Sequence, residues 1–401
     1  CYCLLLRNAE EMCKKQGKEA EVMKHHKLVR FLVIIIVLAA LLTGCEDSVD
    51  INEKLIVTTI VCDVKDGEVW YYIEIADIEA GRGEESAEGV GKKFIVFKGH
   101  GKTLTEARDN LDTQLDKPLF LSGVRALVFT ENFAKKYLIE YLYRVRVDET
   151  QRKKGLTVIT KEDPEELYKS AHEKNLSAGF MIEGIIKTLD KSQKSFIRTT
   201  MRLLENLSSN YTGILIPCIG LRDKEISLIG YSVISGSTIT DFLPVEESVG
   251  TMFFKVDKPK FHFIVPYNDM NFTLEVLLTK RKITSSYKGG IISYDIKMEY
   301  KAELMYGDKK TPYNFDDAAA RKVSETLTAM LRQQISDAIY RAQKEFECDY
   351  LQFDDIFRIR FPVEFQEMDW RKEFINASVN IDVKVDMSTK WGMDYGVNKV
   401  K

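Results

Sequence analysis

Residues 31–42 read FLVIIIVLAALL, twelve apolar residues without a break, and Thr43-Gly44-Cys45 follows at once. A helix that crosses a bilayer stably takes roughly 20 apolar residues, so this run is too short to span. It has the length of the h-region of an export signal. Lys24, His25, His26, Lys27 and Arg30 lie just ahead of it and supply the basic n-region. The run therefore constrains the chain more than any other feature. It predicts an exported protein whose apolar segment is removed before the body does its work.

Leu42-Thr43-Gly44-Cys45 closes the run and resembles a bacterial lipobox. Small residues before the cysteine let the signal peptidase cut between Gly44 and Cys45, and the Cys45 thiol would carry a diacylglyceryl group. Two acyl chains hold a protein on a bilayer where one would not. Residues 23–44, from Met23, read as the lipoprotein signal peptide. Residues 1–22 begin without Met, add nothing a signal needs, and read as an upstream extension from a mis-set start. The mature chain would be Cys45–Lys401. Residues 1–44 hold seven Lys/Arg and four Glu, so their removal takes the formal net charge from −3 to −6. A mildly acidic body is not drawn to an anionic membrane by charge, which leaves the lipid as the anchor. No basic surplus suggests nucleic acid. With 45% hydrophobic and 30% charged residues and only 8 Pro, disorder and a polytopic membrane protein are also poor fits.

The mature chain alternates strand and helix signals. Leu55–Val64 and Glu68–Ile78 read as strands around a Lys65-Asp66-Gly67 turn. An acidic loop, Gly81–Gly91, precedes a strand at Lys93–Lys98. Thr103 and Glu106 form a capping box for a helix over Thr103–Leu115. A strand at VRALVF (Val124–Phe129), a helix over Phe133–Val145, a strand at Leu156–Thr160 and a helix begun by Asp163 follow. Helices are expected at Phe180–Leu189 and Ser195–Leu207. Gly213–Leu221 reads as extended, and Glu225–Phe242 as a hairpin. Strands at Phe261–Val265, Asn271–Lys282 and Ile291–Leu304 lead to a long helix, Ala318–Phe346. Its apolar stripe runs through Val323, Leu327, Met330, Ile335, Ile339 and Phe346. Phe357–Phe361 reads as short and extended, Trp370–Phe374 as a helical turn, and Ala377–Met387 as a closing strand. The fold class is α+β, mixed α/β. Three domains are expected, each a small mixed or antiparallel sheet flanked by helices: residues 45–175, 176–258 and 259–401.

No GxGxxG, GxxxxGK[ST], HExxH or GxSxG occurs. Gly99-His100-Gly101-Lys102-Thr103 lacks the P-loop spacing and reads as glycines turning a strand into a capped helix. His262, between Phe261 and Phe263, falls on the exposed face of its strand. Cys62, Cys218 and Cys348 show no metal-ligand spacing, and Cys62 and Cys218 read as small core residues. No catalytic set and no cofactor site emerges. Asp148, Glu149, Arg152, Lys153 and Lys154 form a mixed-charge cluster between a helix and a strand. A solvated face is the plain reading; a protein interface built on Asp148, Glu149 and Arg152 is the sharper one.

The lipobox with Cys45, Ile56–Asp63 (IVTTIVCD) and Phe97–Leu111 (FKGHGKTLTEARDNL) resemble the C-subunit lipoproteins of bacterial spore germinant receptors, the Ger(x)C family. So does the order of the hairpin, the long helix, Asp354–Phe357, Trp370 and the closing strand. The resemblance covers essentially all of Cys45–Lys401. It implies a non-catalytic, three-domain lipoprotein on the outer face of the spore inner membrane. Its partners would be two membrane-embedded subunits, A-type and B-type, and its role assembly or signal coupling in nutrient-triggered germination. The alternative reading is a solute-binding lipoprotein of a membrane transporter, which would need two lobes around a hinged cleft.

Overall fold

A computed structural model describes residues 31, 33, 51–77, 94–207, 213–236, 238–308 and 317–388. The chain divides into two units, Cys1–Glu53 and Lys54–Lys401. In the first, Phe31, Val33 and a 3-10 turn at Ile51–Glu53 are described. Apart from Phe31 and Val33, the expected signal peptide with its cleavage site at Gly44 and Cys45 lies outside the described residues, as does the loop Gly81–Gly91.

The second unit is mixed α/β, as expected, and is built on two sheets. The larger contains β1 (Leu55–Lys65), β2 (Glu68–Ala76), β3 (Phe94–Gly101), the short β4 (Leu119–Phe120), β5 (Ala126–Thr130), β6 (Leu156–Thr160), β7 (Ile214–Arg222), β8 (Glu225–Ser235) and β9 (Thr238–Pro244). Their order is β3-β2-β1-β5-β6-β7-β8-β9, with β4 beside the start of β1. The centre, β1-β5-β6-β7, is parallel, and antiparallel hairpins flank it on both sides. Parallel strands are covered on both faces, so they read as continuous apolar runs. All five residues of β5 (ALVFT) and of β6 (LTVIT) are buried accordingly. β6 and β7, on either side of the boundary drawn at 175/176, are neighbours: Ile159 pairs with Cys218 and Thr160 with Ile219.

Helices cover both faces. α1 (Leu104–Asp112) and α2 (Glu131–Val147) pack on one, with α5 (Thr200–Leu207); α3 (Pro164–His172) and α4 (Ala178–Lys191) pack on the other. Caps written in the sequence start them. Thr103 accepts from the Glu106 N–H at 3.1 Å, and Glu106 reaches back to the Lys102 N–H at 2.9 Å. Asp163 accepts from Glu165 N–H at 2.8 Å. The Gly99-His100-Gly101 segment serves packing. A Cβ at Gly99 would lie 2.5 Å from Ala107 O, and one at Gly101 would lie 2.6 Å from Glu106 Cβ. Both glycines let α1 lie directly against β3.

The smaller sheet has the order β10-β11-β12-β13, formed by β10 (Lys260–Tyr267), β11 (Met270–Lys288), β12 (Ile291–Gly307) and β13 (Ser378–Ser388). β13 joins β12 in parallel. α6 (Val249–Lys255) leads into it and α7 (Asp317–Tyr340) crosses its inner face, followed by a π-helical turn, Arg341–Glu345. The buried stripe of α7 runs Val323, Leu327, Leu331, Ile335 and Ile339, a strict spacing of four. Leu331 thus takes the place expected of Met330, which is only half-buried.

Two expected elements differ. Phe357–Phe361 is not extended; Phe353–Arg360 is a helix, α8, followed by α9 (Pro362–Glu367) and α10 (Trp370–Asn376). The alternation of Ile356-Phe357-Arg358-Ile359-Arg360-Phe361 mimics a strand, but Asp349 caps α8 through the N–H groups of Phe353 (3.1 Å) and Asp354 (2.7 Å). Of the helix expected at Ser195–Leu207, only α5 is helical. Arg198 O instead accepts from Thr157 N–H at 2.9 Å, tying the segment to the edge of β6 as extended chain.

Candidate functional site

The α1/α2 face carries a cleft of about 820 Å³. Its floor is sheet and helix: Ile60 of β1, Tyr71 and Ile73 of β2, Leu111 of α1 and Tyr141 of α2. Its rim is polar, with Arg108, Asp112, Arg144 and Asp148 among the residues around it. Val147, at the end of α2, is 78% exposed on that rim. An apolar floor ringed by charge is the anatomy of a protein contact or of a ligand pocket. The floor tyrosines stay protonated. Burial pushes the Tyr71 and Tyr141 hydroxyls well up, and neighbouring Cys62 adds to both.

Of the three residues expected at an interface, Asp148 lines this cleft. Its carboxylate accepts from Thr150 N–H at 2.9 Å and from the Thr150 hydroxyl at 2.6 Å, which folds the loop after α2. Glu149 is exposed beside it. Arg152 is half-buried and donates to Val124 O at 3.4 Å, anchoring the loop to the strand before β5.

Other residues singled out from sequence have structural roles. His100 stacks on Trp70, with ring centroids 4.5 Å apart, and its Nδ1 lies 2.8 Å from Glu68 Oε2. The β2–β3 pairing brings Glu68 there. His262 is exposed, 3.7 Å from Glu275. Cys62, Cys218 and Cys348 are free, buried thiols. Burial pushes Cys218 and Cys348 up to about 12, which leaves them unreactive. Among the described residues no group of His, Cys, Asp and Glu could hold a metal ion, and no helix is long and apolar enough to cross a membrane.

Two buried carboxylates were not legible as anything but polar strand or loop residues. Glu74 of β2 is fully buried and accepts five hydrogen bonds: from Thr58, Thr59 (3.0 Å), Ser177 (2.5 Å), the Ala178 N–H (2.9 Å) and His172 Nε2 (2.8 Å). Burial alone would raise its carboxyl, but the bonds from His172, Ser177, Thr58 and Ala178 outweigh it and hold it below the ordinary range. Glu74 also faces the N-terminus of α4, whose dipole favours negative charge. The second is Asp349, which caps α8 and accepts from Trp370 Nε1 at 3.1 Å. Its neighbour Asp354 is 2% exposed, and its Oδ1 has no partner. Burial, with Asp349 and Asp355 nearby, pushes the Asp354 carboxyl up to about 8.

The folded protein therefore keeps a proton on Asp354 that the unfolded chain has released above its ordinary value of 3.8. Stability from this group is greatest at low pH and falls as pH rises toward 8. Asp354→Asn cannot ionise and removes that slope. Its stability advantage over the parent is expected to grow by roughly 3–4 kcal/mol between pH 5 and pH 8 in urea unfolding.

The fold is a two-sheet α/β architecture with an apolar-floored, polar-rimmed cleft on its α1/α2 face. The spore germination protein N-terminal domain matches residues 47–221. The spore germination B3/GerAC-like C-terminal domain matches residues 229–390. Together they span most of the chain, which belongs to this family, the C subunits of spore germinant receptors. Among solved structures the chain is similar to the GerBC protein, at 14% identity and a TM-score of 0.55, covering 82% of this chain and 96% of that one. That likeness supports the fold. No curated protein matches the chain.

Proposed function

We propose that this chain is the lipid-anchored, non-catalytic C subunit of a nutrient germinant receptor, held by acyl chains on Cys45 to the outer face of the spore inner membrane. Two membrane-embedded subunits, A-type and B-type, are its partners, and its work is receptor assembly or signal coupling. The observation that carries this reading is the pair of family matches running through both sheets, 47–221 and 229–390. Holding the body at the membrane raises its effective concentration toward embedded partners, so a modest interface suffices.

The cleft between α1 and α2 is the contact we assign to those partners, with Asp148 on its rim and Glu149 and Arg152 in the loop beside it. Affinity capture of the tagged chain from detergent-solubilised spore membranes tests this. The parent chain is expected to bring down two polytopic proteins. Val147→Asp puts a charge on the exposed rim without touching the core, and should reduce their recovery about tenfold or more. Recovery equal to the parent's would place the contact elsewhere.

A further inference from the structure

A second cleft, of about 750 Å³, lies on the α3/α4 side and opens between the segment before α5 and the end of α6. Its walls carry four cations, Lys154, Arg198, Arg202 and Lys255, against two carboxylates, Asp190 and Asp257. No ion pair joins any of the four to a carboxylate among the described residues. The cationic side chains are held in place by other means. Arg198 Nε donates to Leu215 O at 3.0 Å, and its guanidinium carbon lies over the Phe196 ring, 4.8 Å from the centroid. Neither of its Nη groups bonds to a described residue, so the planar fork is fixed with two donors to spare. Lys255 Nζ is positioned by Tyr350 O at 2.7 Å.

A fixed, half-buried guanidinium beside further positive charge is costly unless an anion completes it. The charges show the strain. Burial pushes Arg198 down to about 10, with Arg202 adding to the effect. Burial pushes Lys255 down to about 7, aided by Arg198 and Arg281 and opposed by Asp349 and Asp354. A guanidinium fork offers paired donors matched to the two oxygens of a carboxylate or phosphate. Lys154, Arg198 and Arg202 exceed Asp190 and Asp257 by one positive charge; a bound anion favours the protonated form of Lys255, which brings the surplus to two, and the volume is that of a small-molecule site.

We propose that this cleft binds a small soluble dianion, a phosphomonoester or dicarboxylate, with Arg198 as the bidentate anchor and Arg202, Lys154 and Lys255 as flanking charges. The site is separate from the α1/α2 cleft, and the inference stands whether or not that cleft contacts a receptor partner.

Isothermal titration of the full-length protein in detergent, with inorganic phosphate in one arm and succinate in the other, at constant ionic strength in chloride, tests it. Saturable binding of one equivalent in either arm is expected, and the arm that binds assigns the ligand to the phosphate or the dicarboxylate class. Arg202 and Lys154 are exposed, so Arg202→Gln and Lys154→Gln should fold normally. Each is expected to weaken binding about tenfold. Arg198→Gln should abolish it, with thermal unfolding reporting whether the variant is folded. The proposal is overturned if neither arm binds beyond chloride, or if Arg202→Gln and Lys154→Gln both bind as tightly as the parent.

Discussion

Glu74→Ala is expected to lower the unfolding free energy by about 3–5 kcal/mol, the cost of breaking a buried, fully hydrogen-bonded charge. The alanine leaves the Thr59 and Ser177 hydroxyls and the Ala178 N–H without their acceptor, while the Thr58 hydroxyl keeps only its bond to the Glu74 carbonyl at 3.3 Å; an unpaired buried donor costs about 1–3 kcal/mol. These groups come from β1 and from the start of α4, so the loss detaches α4 from the sheet as well as removing a charge. Gly179 makes that junction tight, since a Cβ there would collide with Thr58 O and Thr59 Oγ1. Glu74→Gln keeps the shape and one acceptor and should cost less. The pH dependence separates the two effects. The Glu74 carboxyl is lowered in the fold, so its contribution is present above its ordinary value of 4.5 and is lost as pH falls through the lowered folded value. Glu74→Gln should flatten the acid limb of the stability curve. Urea unfolding from pH 3 to pH 7 gives both numbers. A Glu74→Ala variant within about 0.5 kcal/mol of the parent would mean the cluster is incidental to the fold.

Cys45→Ala is expected to release the protein from the membrane almost completely. Each buried methylene of an acyl chain contributes about 0.8 kcal/mol, so the two chains of a diacylglyceryl group supply far more than any surface contact of the body. The net charge of −6 after removal of residues 1–44 offers no electrostatic substitute. Fractionation of cells expressing parent and variant, followed by blotting, reads the effect. Retention of Cys45→Ala in the membrane fraction would show that something other than lipid holds the chain.

The parts of the fold written in local chemistry were legible in the sequence. Thr103 with Glu106, Asp163 before Pro164 and the Lys65-Asp66-Gly67 turn each specify a boundary through a cap or a turn residue, and each boundary falls within a few residues of the element observed. What required tertiary contact was not legible. The α8 helix is capped by Asp349, itself held by Trp370 twenty-one positions later in the chain. The segment ending at Arg198 is drawn out of helix by Thr157, forty-one positions earlier in the chain. Glu74 sits between Ile73 and Ile75 in a strand covered on both faces, and the strand pattern alone did not single it out. The useful signal was the neighbourhood: a lone glutamate in a doubly covered apolar strand must find partners. Asp148 was singled out as part of a charge cluster, and the cleft beside it became visible only once α1, α2 and the sheet had assembled around Tyr71 and Tyr141. The basic cleft was invisible for the same reason. Lys154, Arg198, Arg202 and Lys255 are scattered over about a hundred positions and converge only in the fold.

Nutrient-triggered germination of spores from the native spore-former tests the central claim most directly. The strain should lack any paralogous receptor, and its spores should carry this chain deleted, restored, or restored as Cys45→Ala. Heat-resistance loss and refractility are scored against single nutrients. The deletion is expected to abolish the response to at least one nutrient, the restored chain to recover it, and Cys45→Ala to recover it poorly. Spores without the chain that germinate normally to every nutrient would contradict the assignment of this protein to the receptor.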